Sequence, residues 1–153
     1  MTKIELKDGC FWINGLRTFL YGGTMQYYRI PKSVWGSSLR KLKEANINFI
    51  DIYIPWVWHE YEEGKFDFTG ETIPERDLVG FVKLVKENGL YLFIRPGPNI
   101  YEEYLSFGFP VWLTTKYPEI MQVAENGKRW HIISFNHPLY LSYVSKWYDA
   151  VLG

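Results

Sequence analysis

The sequence predicts an α/β protein in which parallel strands alternate with helices. Three segments, 19–23, 47–55 and 90–94, are rich in apolar, β-branched or aromatic residues and have the length of buried strands. Between them, apolar residues recur at helical spacing over 31–46 and 75–88. Strands and helices that alternate in this way pair in parallel through right-handed crossovers, which is the basis for the predicted class.

A small antiparallel β meander is predicted ahead of the first parallel strand. Asp8-Gly9 and Asn14-Gly15 are dipeptides typical of two-residue hairpin turns, and apolar or alternating residues flank both of them within 3–19. Beyond the third parallel strand, the sequence predicts a loop over 95–108, a short helix over 110–117 and a longer helix over 138–152.

Two folds accommodate this order of elements, a doubly wound sheet and part of a (β/α)8 barrel. A doubly wound dinucleotide-binding sheet would carry G-x-G-x-x-G after its first strand, and Gly22-Gly23-Thr24-Met25 does not supply that pattern. Each predicted strand is instead followed by a loop rich in aromatic and polar residues, and barrels build their sites from the loops at that end. The sequence therefore favours a partial (β/α)8 TIM barrel, its first three βα units, behind the N-terminal meander.

Charge and composition argue against several classes of function. The chain has 17 basic and 17 acidic residues, whereas proteins that bind nucleic acid or anionic membranes usually carry a basic excess. No stretch approaches the ~18 apolar residues of a membrane-spanning helix, and the charged N-terminus lacks the apolar run of a signal peptide. Cys10 is the only cysteine, so no intrachain disulfide can form. We therefore expect a cytoplasmic protein with no nucleic-acid or membrane partner.

Two of the predicted strand-end loops place carboxylates beside aromatic rings. They span 56–64 and 95–104, and aromatic residues make up 19% of the whole chain. This mixture suits sugar binding, because rings stack on the apolar face of a sugar and carboxylates accept hydrogen bonds from its hydroxyls. Hydrolysis of a glycosidic bond further requires two carboxyl groups that flank it. Local sequence leaves open which carboxylates face inward among Glu60, Glu62, Glu63, Glu102 and Glu103.

The His59-Glu60 pair begins like a zinc-binding H-E-x-x-H motif but does not complete it. After Tyr61 and Glu62, Glu63 occupies the position where the second histidine would be needed. We expect neither a metal nor another cofactor. Two interpretations of His59 stay open. It is either a structural residue that is tied to a neighbouring carboxylate and braces the loop, or a residue of the site itself.

Six blocks of sequence carry a family resemblance. They are FWINGLR (11–17), YYRIP (27–31), YIPWVWHE (53–60), GKFDFTG (64–70), IRPGP (94–98) and FPVWL (109–113). In this order and spacing they resemble the N-terminal part of the β-galactosidases of glycoside hydrolase family 35. The resemblance implies a retaining exo-galactosidase barrel that holds a terminal β-galactoside, or a related sugar, with residues at the ends of its first three strands.

The resemblance also implies which residues contact the sugar. Tyr53 matches a tyrosine near the reactive carbon, and Glu103 matches a glutamate that accepts hydrogen bonds from sugar hydroxyls. The predicted substrate-binding set is completed by further residues of the two loops, namely Trp58, Glu60, Asn99 and Tyr101.

Four positions in the presumed site loops depart from the usual residues of the family. Gln26 stands where a histidine is usual, and Val57 stands where an asparagine is usual. Asn99 replaces a usual tyrosine, and Tyr101 replaces an asparagine or cysteine. These departures bear on which sugar is preferred.

The same resemblance implies that the catalytic carboxylates lie beyond Gly153. In the family, the acid/base glutamate belongs to an Asn-Glu pair after strand four and the nucleophile follows strand seven, and this sequence contains no Asn-Glu dipeptide. We therefore expect residues 1–153 to be the N-terminal fragment of a glycosidase TIM-barrel domain, inactive by itself.

Two alternatives from other classes stay open. One is a non-catalytic carbohydrate-binding or scaffold module with the same fold, and the other is a structural truncation without a ligand. Three parallel strands leave two unpaired edges, and exposed edges recruit partners. We therefore also expect either self-association or completion by a C-terminal remainder.

Overall fold

The computed structural model describes residues 2–101 and 104–153. Its strands are β1 (Ile4–Lys7), β2 (Cys10–Ile13), β3 (Leu16–Thr18), β4 (Gly22–Thr24), β5 (Phe49–Tyr53), β6 (Glu60–Glu62), β7 (Lys65–Phe66), β8 (Tyr91–Arg95), β9 (Met121–Val123) and β10 (Arg129–Ile133). Its α-helices are α1 (Trp35–Glu44), α2 (Trp56–His59), α3 (Leu78–Glu87), α4 (Val111–Lys116) and α5 (Pro138–Leu152). Short 3-10 helices span Tyr27–Arg29, Lys32–Val34, Pro74–Arg76, Leu105–Gly108 and Pro118–Ile120.

The N-terminal meander is present as predicted. Strands β1, β2 and β3 pair antiparallel in that order. Both turns adopt the left-handed backbone that their sequences favour, with φ of 52° at Asp8, 69° at Gly9, 52° at Asn14 and 79° at Gly15. The tight-turn dipeptides therefore set the register of this small sheet.

Strands β4, β5 and β8 form a parallel three-stranded sheet in that order. On one face of β5, Ile50 and Ile52 are buried, as is Ile54 directly after the strand, and they share a core with Trp35 of α1 and Phe81 of α3. On the opposite face the sheet is open, and Phe93 of β8 is 54% exposed. The helices α1 and α3 thus cover a single face of the sheet.

The first parallel strand begins later than the sequence predicts. Over 19–23 the structure places only Gly22 and Gly23 in β4, and Phe19 is 80% exposed. The side chain of Asn48 replaces backbone pairing there, since its amide donates to Phe19 O at 2.8 Å and its oxygen accepts from Tyr21 N at 2.8 Å. The expected buried strand is therefore wrong in its first half, because a long-range amide contact competes with the sheet.

The helix predicted over 75–88 is present as α3, with both ends capped. The Asp77 carboxylate accepts from Gly80 N at 2.8 Å at its start. At its end Asn88 is followed by Gly89 with φ of 63°, the left-handed residue that commonly closes a helix. Helices α1, α4 and α5 likewise fall within the predicted segments.

Two hairpins were not predicted. Strands β6 and β7 pair antiparallel inside the loop that follows β5, and β9 and β10 pair antiparallel between α4 and α5. Each pairing contains a register irregularity, and the strands are two to five residues long, so neither leaves a period-2 pattern that is long enough to recognise.

The fold is therefore mixed α/β, and the strands of the described residues form no closed barrel. None of the helices in residues 2–101 and 104–153 has the length and apolar character needed to cross a membrane.

Candidate functional site

The candidate site lies where the parallel strands end. The register pairs Tyr53 with Arg95, the last residues of β5 and β8, so both strands finish at the same level. Two long connections leave from this level, and we call them the β5 loop (residues 54–77) and the β8 loop (residues 96–110). Parallel α/β sheets place their binding sites at this carboxyl edge.

Three side chains form a strand-end cluster on the open face of the sheet: Asp51, Tyr53 and Arg95. One guanidinium nitrogen of Arg95 donates to the Tyr53 hydroxyl, and another lies 2.7 Å from the Asp51 carboxylate. The guanidinium carbon sits 3.6 Å from the centre of the Tyr53 ring. Sugar contact by Tyr53 stays a prediction. The sequence analysis did not name Asp51 or Arg95, although the alternation of buried residues along β5 could have placed Asp51 on the face of Tyr53.

Two amide side chains near the strand ends carry buried polar atoms that lack a hydrogen-bond partner among the described residues. They are both amide atoms of Gln26, which follows β4, and Oδ1 of Asn99 in the β8 loop. A buried polar atom normally has a partner, so such atoms are candidates to meet a polar ligand. Gln26 and Asn99 are two of the four positions at which the sequence analysis predicts a departure from the residues usual in the family.

The β8 loop holds the remaining predicted contacts on that side. Tyr101 is 71% exposed, with its ring edge against Phe107 at a centroid distance of 5.2 Å. Glu103 lies outside the described residues. Sugar contact by Asn99, Tyr101 and Glu103 stays a prediction.

The β8 loop is anchored by helix α5. Trp147 donates its indole N–H to Pro96 O at 2.6 Å, and Tyr148 donates its hydroxyl to Gly97 O at 2.9 Å. Trp147 is fully buried and also stacks on Trp56 of the β5 loop at 6.0 Å. One helix therefore links the two loops.

Trp58 is integrated into the β5 loop. It is half-buried, its indole N–H donates to Glu75 O at 3.4 Å, and the guanidinium of Arg76 lies 5.2 Å from its ring. The ring is thus committed to the 3-10 helix over 74–76. The contacts that the structure shows for Trp58 are packing contacts within the loop. Sugar stacking on Trp58 stays a prediction.

Glu60 is buried at 4% exposure and is held from two sides. The Trp56 indole donates to Oε2, and Gly64 N donates to Oε1 at 2.7 Å. Burial raises the pKa of the Glu60 carboxyl, and these two donors oppose that shift. These contacts brace the β5 loop, whereas sugar contact by Glu60 stays a prediction.

His59 is structural in its contacts. Its Nδ1 lies 2.6 Å from Asp67 O, a carbonyl that can only accept, so Nδ1 carries the proton and Nε2 accepts from the Tyr27 hydroxyl at 2.5 Å. Burial lowers the pKa of His59 to about 4, which keeps the ring neutral near pH 7. The bracing interpretation is favoured, with a backbone carbonyl and a tyrosine as partners in place of the expected carboxylate.

Glu63 connects the hairpin of the β5 loop to α4 and α5. Its carboxylate pairs with Lys116 and accepts from the hydroxyls of Tyr143 at 2.5 Å and Tyr117 at 2.9 Å. The Lys116 ammonium is the main reason that the pKa of Glu63 falls to about 2, with Tyr143 next. Glu63 is thus ionised and fully engaged. Within the described residues, no group of three or more His, Cys, Asp or Glu side chains could hold a metal ion.

Comparison with known proteins decides the family. Residues 10–152 match the model for glycosyl hydrolases family 35. The chain belongs to this family. The resemblance predicted from the six sequence blocks is therefore confirmed.

Relatives in family 35 are much longer than this chain. It is 44% identical over 155 residues to the exo-beta-D-glucosaminidase of Pyrococcus horikoshii, covering 98% of this chain and 20% of that protein. It is 34% identical over 148 residues to the beta-galactosidase of Mus musculus, covering 96% of this chain and 19% of that protein. The chain thus spans about a fifth of the length of these relatives.

Solved structures support the fold of this family 35 chain. A crystal structure of beta-galactosidase from the psychrophilic Marinomonas ef1 superposes with a TM-score of 0.68 at 16% identity, covering 84% of this chain and 18% of that one. At this identity the likeness bears on the fold alone.

Proposed function

We propose that these residues form the first three βα units of a (β/α)8 barrel and one wall of the sugar site of a retaining exo-glycosidase. In this proposal the acid/base and nucleophile glutamates follow Gly153. The observation that carries it is the strand-end cluster, which presents polar groups on a sheet face that helices leave open. Family membership and the short span relative to the relatives support it.

The open face itself supports completion by further strands. Tyr91 and Phe93 of β8 point to it with 37% and 54% of their surfaces exposed. Inward-facing side chains of a barrel pack in layers against side chains of the other strands. In this proposal, Tyr91 and Phe93 are such inward-facing residues, and the strands that would cover them follow Gly153. We expect the 153-residue chain alone to self-associate through this face, which sedimentation velocity would detect as species larger than a monomer.

The proposed substrate is a terminal β-linked hexose. The relatives are named for a β-D-glucosaminide and a β-galactoside. The resemblance further implies that four site-loop positions, Gln26, Val57, Asn99 and Tyr101, carry residues that are not usual in β-galactosidases. The decisive assay compares the 153 residues with the polypeptide of the whole reading frame that contains them. Release of p-nitrophenol from the β-galactoside or the β-D-glucosaminide is expected only from the longer polypeptide. Hydrolysis by the 153 residues alone, or by neither, contradicts the proposal.

A binding experiment tests the wall separately. Galactose and glucosamine are titrated into the chain while tryptophan fluorescence is followed, because Trp56 and Trp58 lie in the β5 loop. Tyr53→Phe is expected to weaken any binding, and Tyr91→Phe, on the same face at the opposite end of β8, is the matched control. Binding without hydrolysis by the complete polypeptide would favour a non-catalytic carbohydrate-binding module.

A further inference from the structure

We infer that Arg95 is a positioning residue that orients the Tyr53 hydroxyl toward the bound sugar, with Asp51 holding Arg95 in place. The inference rests on the proposed function, because it concerns the same site. Neither Arg95 nor Asp51 was among the residues that the sequence predicted to touch the substrate.

The first step is the direction of the hydrogen bond. A guanidinium only donates, so the oxygen of Tyr53 must accept from Arg95. The hydroxyl proton of Tyr53 is then available for a different acceptor, and no described residue accepts it. The open face is where a sugar oxygen would take this role.

The second step is the rigidity of the arrangement. Arg95 is fixed at three points: the Tyr53 hydroxyl, the Asp51 carboxylate at 2.7 Å and the Tyr53 ring at 3.6 Å. The planar guanidinium of arginine can stack on a ring and donate hydrogen bonds to two partners at once, a combination that a lysine ammonium cannot reproduce. The Tyr53 side chain therefore has little freedom to rotate away from the site.

The third step is charge. Arg95 and Asp51 neutralise each other, with 31% and 19% of their side chains exposed. The Nε of Arg95 and the Oδ1 of Asp51 are buried without a partner among the described residues. The cluster thus adds an oriented donor to the site without adding net charge, which suits an uncharged sugar.

The decisive experiment is a double-mutant cycle in the polypeptide of the whole reading frame. Tyr53→Phe should lower kcat/KM about tenfold or more, as expected when one net hydrogen bond is lost. Arg95→Met should cause a similar loss, the double variant should lose no more than Tyr53→Phe, and Arg95→Lys should recover part of the activity. Additive losses would overturn the inference, because Arg95 would then act independently of Tyr53.

Two further arms keep the outcome interpretable. Arg95→Met leaves the Asp51 carboxylate unpaired, so Asp51→Asn/Arg95→Met supplies a second background if the single variant unfolds. Fluorine NMR of the polypeptide of the whole reading frame, labelled with 3-fluorotyrosine, needs neither sugar nor hydrolysis. The Tyr53 signal should shift in Arg95→Met while the Tyr91 signal stays in place. An unmoved Tyr53 signal would overturn the inference, whereas inactivity of the longer wild-type polypeptide would contradict only the proposed function.

Discussion

The β5 loop and the β8 loop start at the same edge of the sheet but are held in different ways. The β5 loop buries His59, Glu60 and Asp67, each less than 5% exposed, and these side chains bond largely within the loop. The β8 loop is held from outside, by Trp147 and Tyr148 of α5.

This difference indicates which loop has side chains that brace its own structure and which loop has side chains free to contact a ligand. A loop braced by its own polar groups has few of them left for a ligand, whereas a loop anchored through its backbone carbonyls keeps its side chains free. Tyr101 of the β8 loop is 71% exposed, while Glu60 of the β5 loop is 4% exposed. We therefore expect the β8 loop and the strand-end cluster to carry sugar specificity. Hydrogen exchange of each loop measures whether the two are independent.

Trp147→Ala should produce the largest effect, because Trp147 contacts both loops. Removing a fully buried tryptophan should lower the free energy of unfolding by about 3–5 kcal/mol, measured by urea denaturation. Exchange should rise in both loops. Leu141→Ala, at a half-exposed position on the same helix, is the control and should change stability little. Faster exchange in the β8 loop alone would show that Trp147 does not link the two.

Lowering the pH should weaken the β5 loop through His59. Because burial lowers the pKa of His59 to about 4 from 6.5, the unfolded chain binds the proton first. This contribution to stability is complete above pH 6.5 and falls by about 3 kcal/mol as the pH drops toward 4. Urea denaturation across this range should show the fall in the free energy of unfolding, and His59→Gln should flatten it. If the free energy of unfolding depends on pH equally in His59→Gln and in the wild type, His59 is not the source of the fall, and the prediction is contradicted.

Asp67→Ala should destabilise the β5 loop specifically. The Asp67 carboxylate accepts from the backbone nitrogens of 69–72 at 2.8 to 3.2 Å and from the Thr72 hydroxyl at 2.5 Å. We expect a loss of about 2 kcal/mol, since these donors lose a charged partner. Exchange should rise in the β5 loop only, and Glu125→Ala at an exposed position serves as the control.

Acid should have the same effect through Asp67. Burial acts to raise the pKa of Asp67, but the hydrogen bonds from Thr72, Thr69 and Gly70 outweigh it and hold the pKa well below 3.8. The stabilisation is therefore complete above about pH 4 and lost below it. If the backbone amides of the β5 loop exchange at the wild-type rate in Asp67→Ala, the Asp67 carboxylate is not required to hold the loop, and the prediction is contradicted.

Tyr148→Phe should cause the smallest loss of stability, and its effect on hydrogen exchange should be confined to one loop. It removes one hydrogen bond, to Gly97 O, and keeps the ring, so the expected cost is about 1 kcal/mol. Exchange should rise in the β8 loop alone. Tyr21→Phe, at a position that is 59% exposed, is the control. A response in the β5 loop would mean that the two loops are coupled more tightly than their contacts indicate.

Much of the fold was predictable from local pattern. The meander, the helices α1 and α3 and the strand β5 all fall within the predicted segments. Strand β8 starts within its predicted segment and extends one residue beyond it, to Arg95, which was predicted to belong to the following loop. The first half of the first parallel strand was wrong because the Asn48 amide competes with strand pairing, a contact 27 or more residues distant. The short hairpins β6–β7 and β9–β10 escaped because two to five residues are too few to display alternation.

The sequence by itself determined the turns, the alternation of strands and helices and membership of family 35. These follow from local backbone preferences, from the spacing of apolar residues and from ordered motifs, all of which are readable along the chain. Only the tertiary structure decided that Arg95 donates to the Tyr53 hydroxyl, that His59 bonds to Tyr27, and that Trp147 donates to Pro96 O. These partners lie 32 to 51 residues apart, and polar contacts at that range depend on strand register and helix packing, which no local pattern specifies.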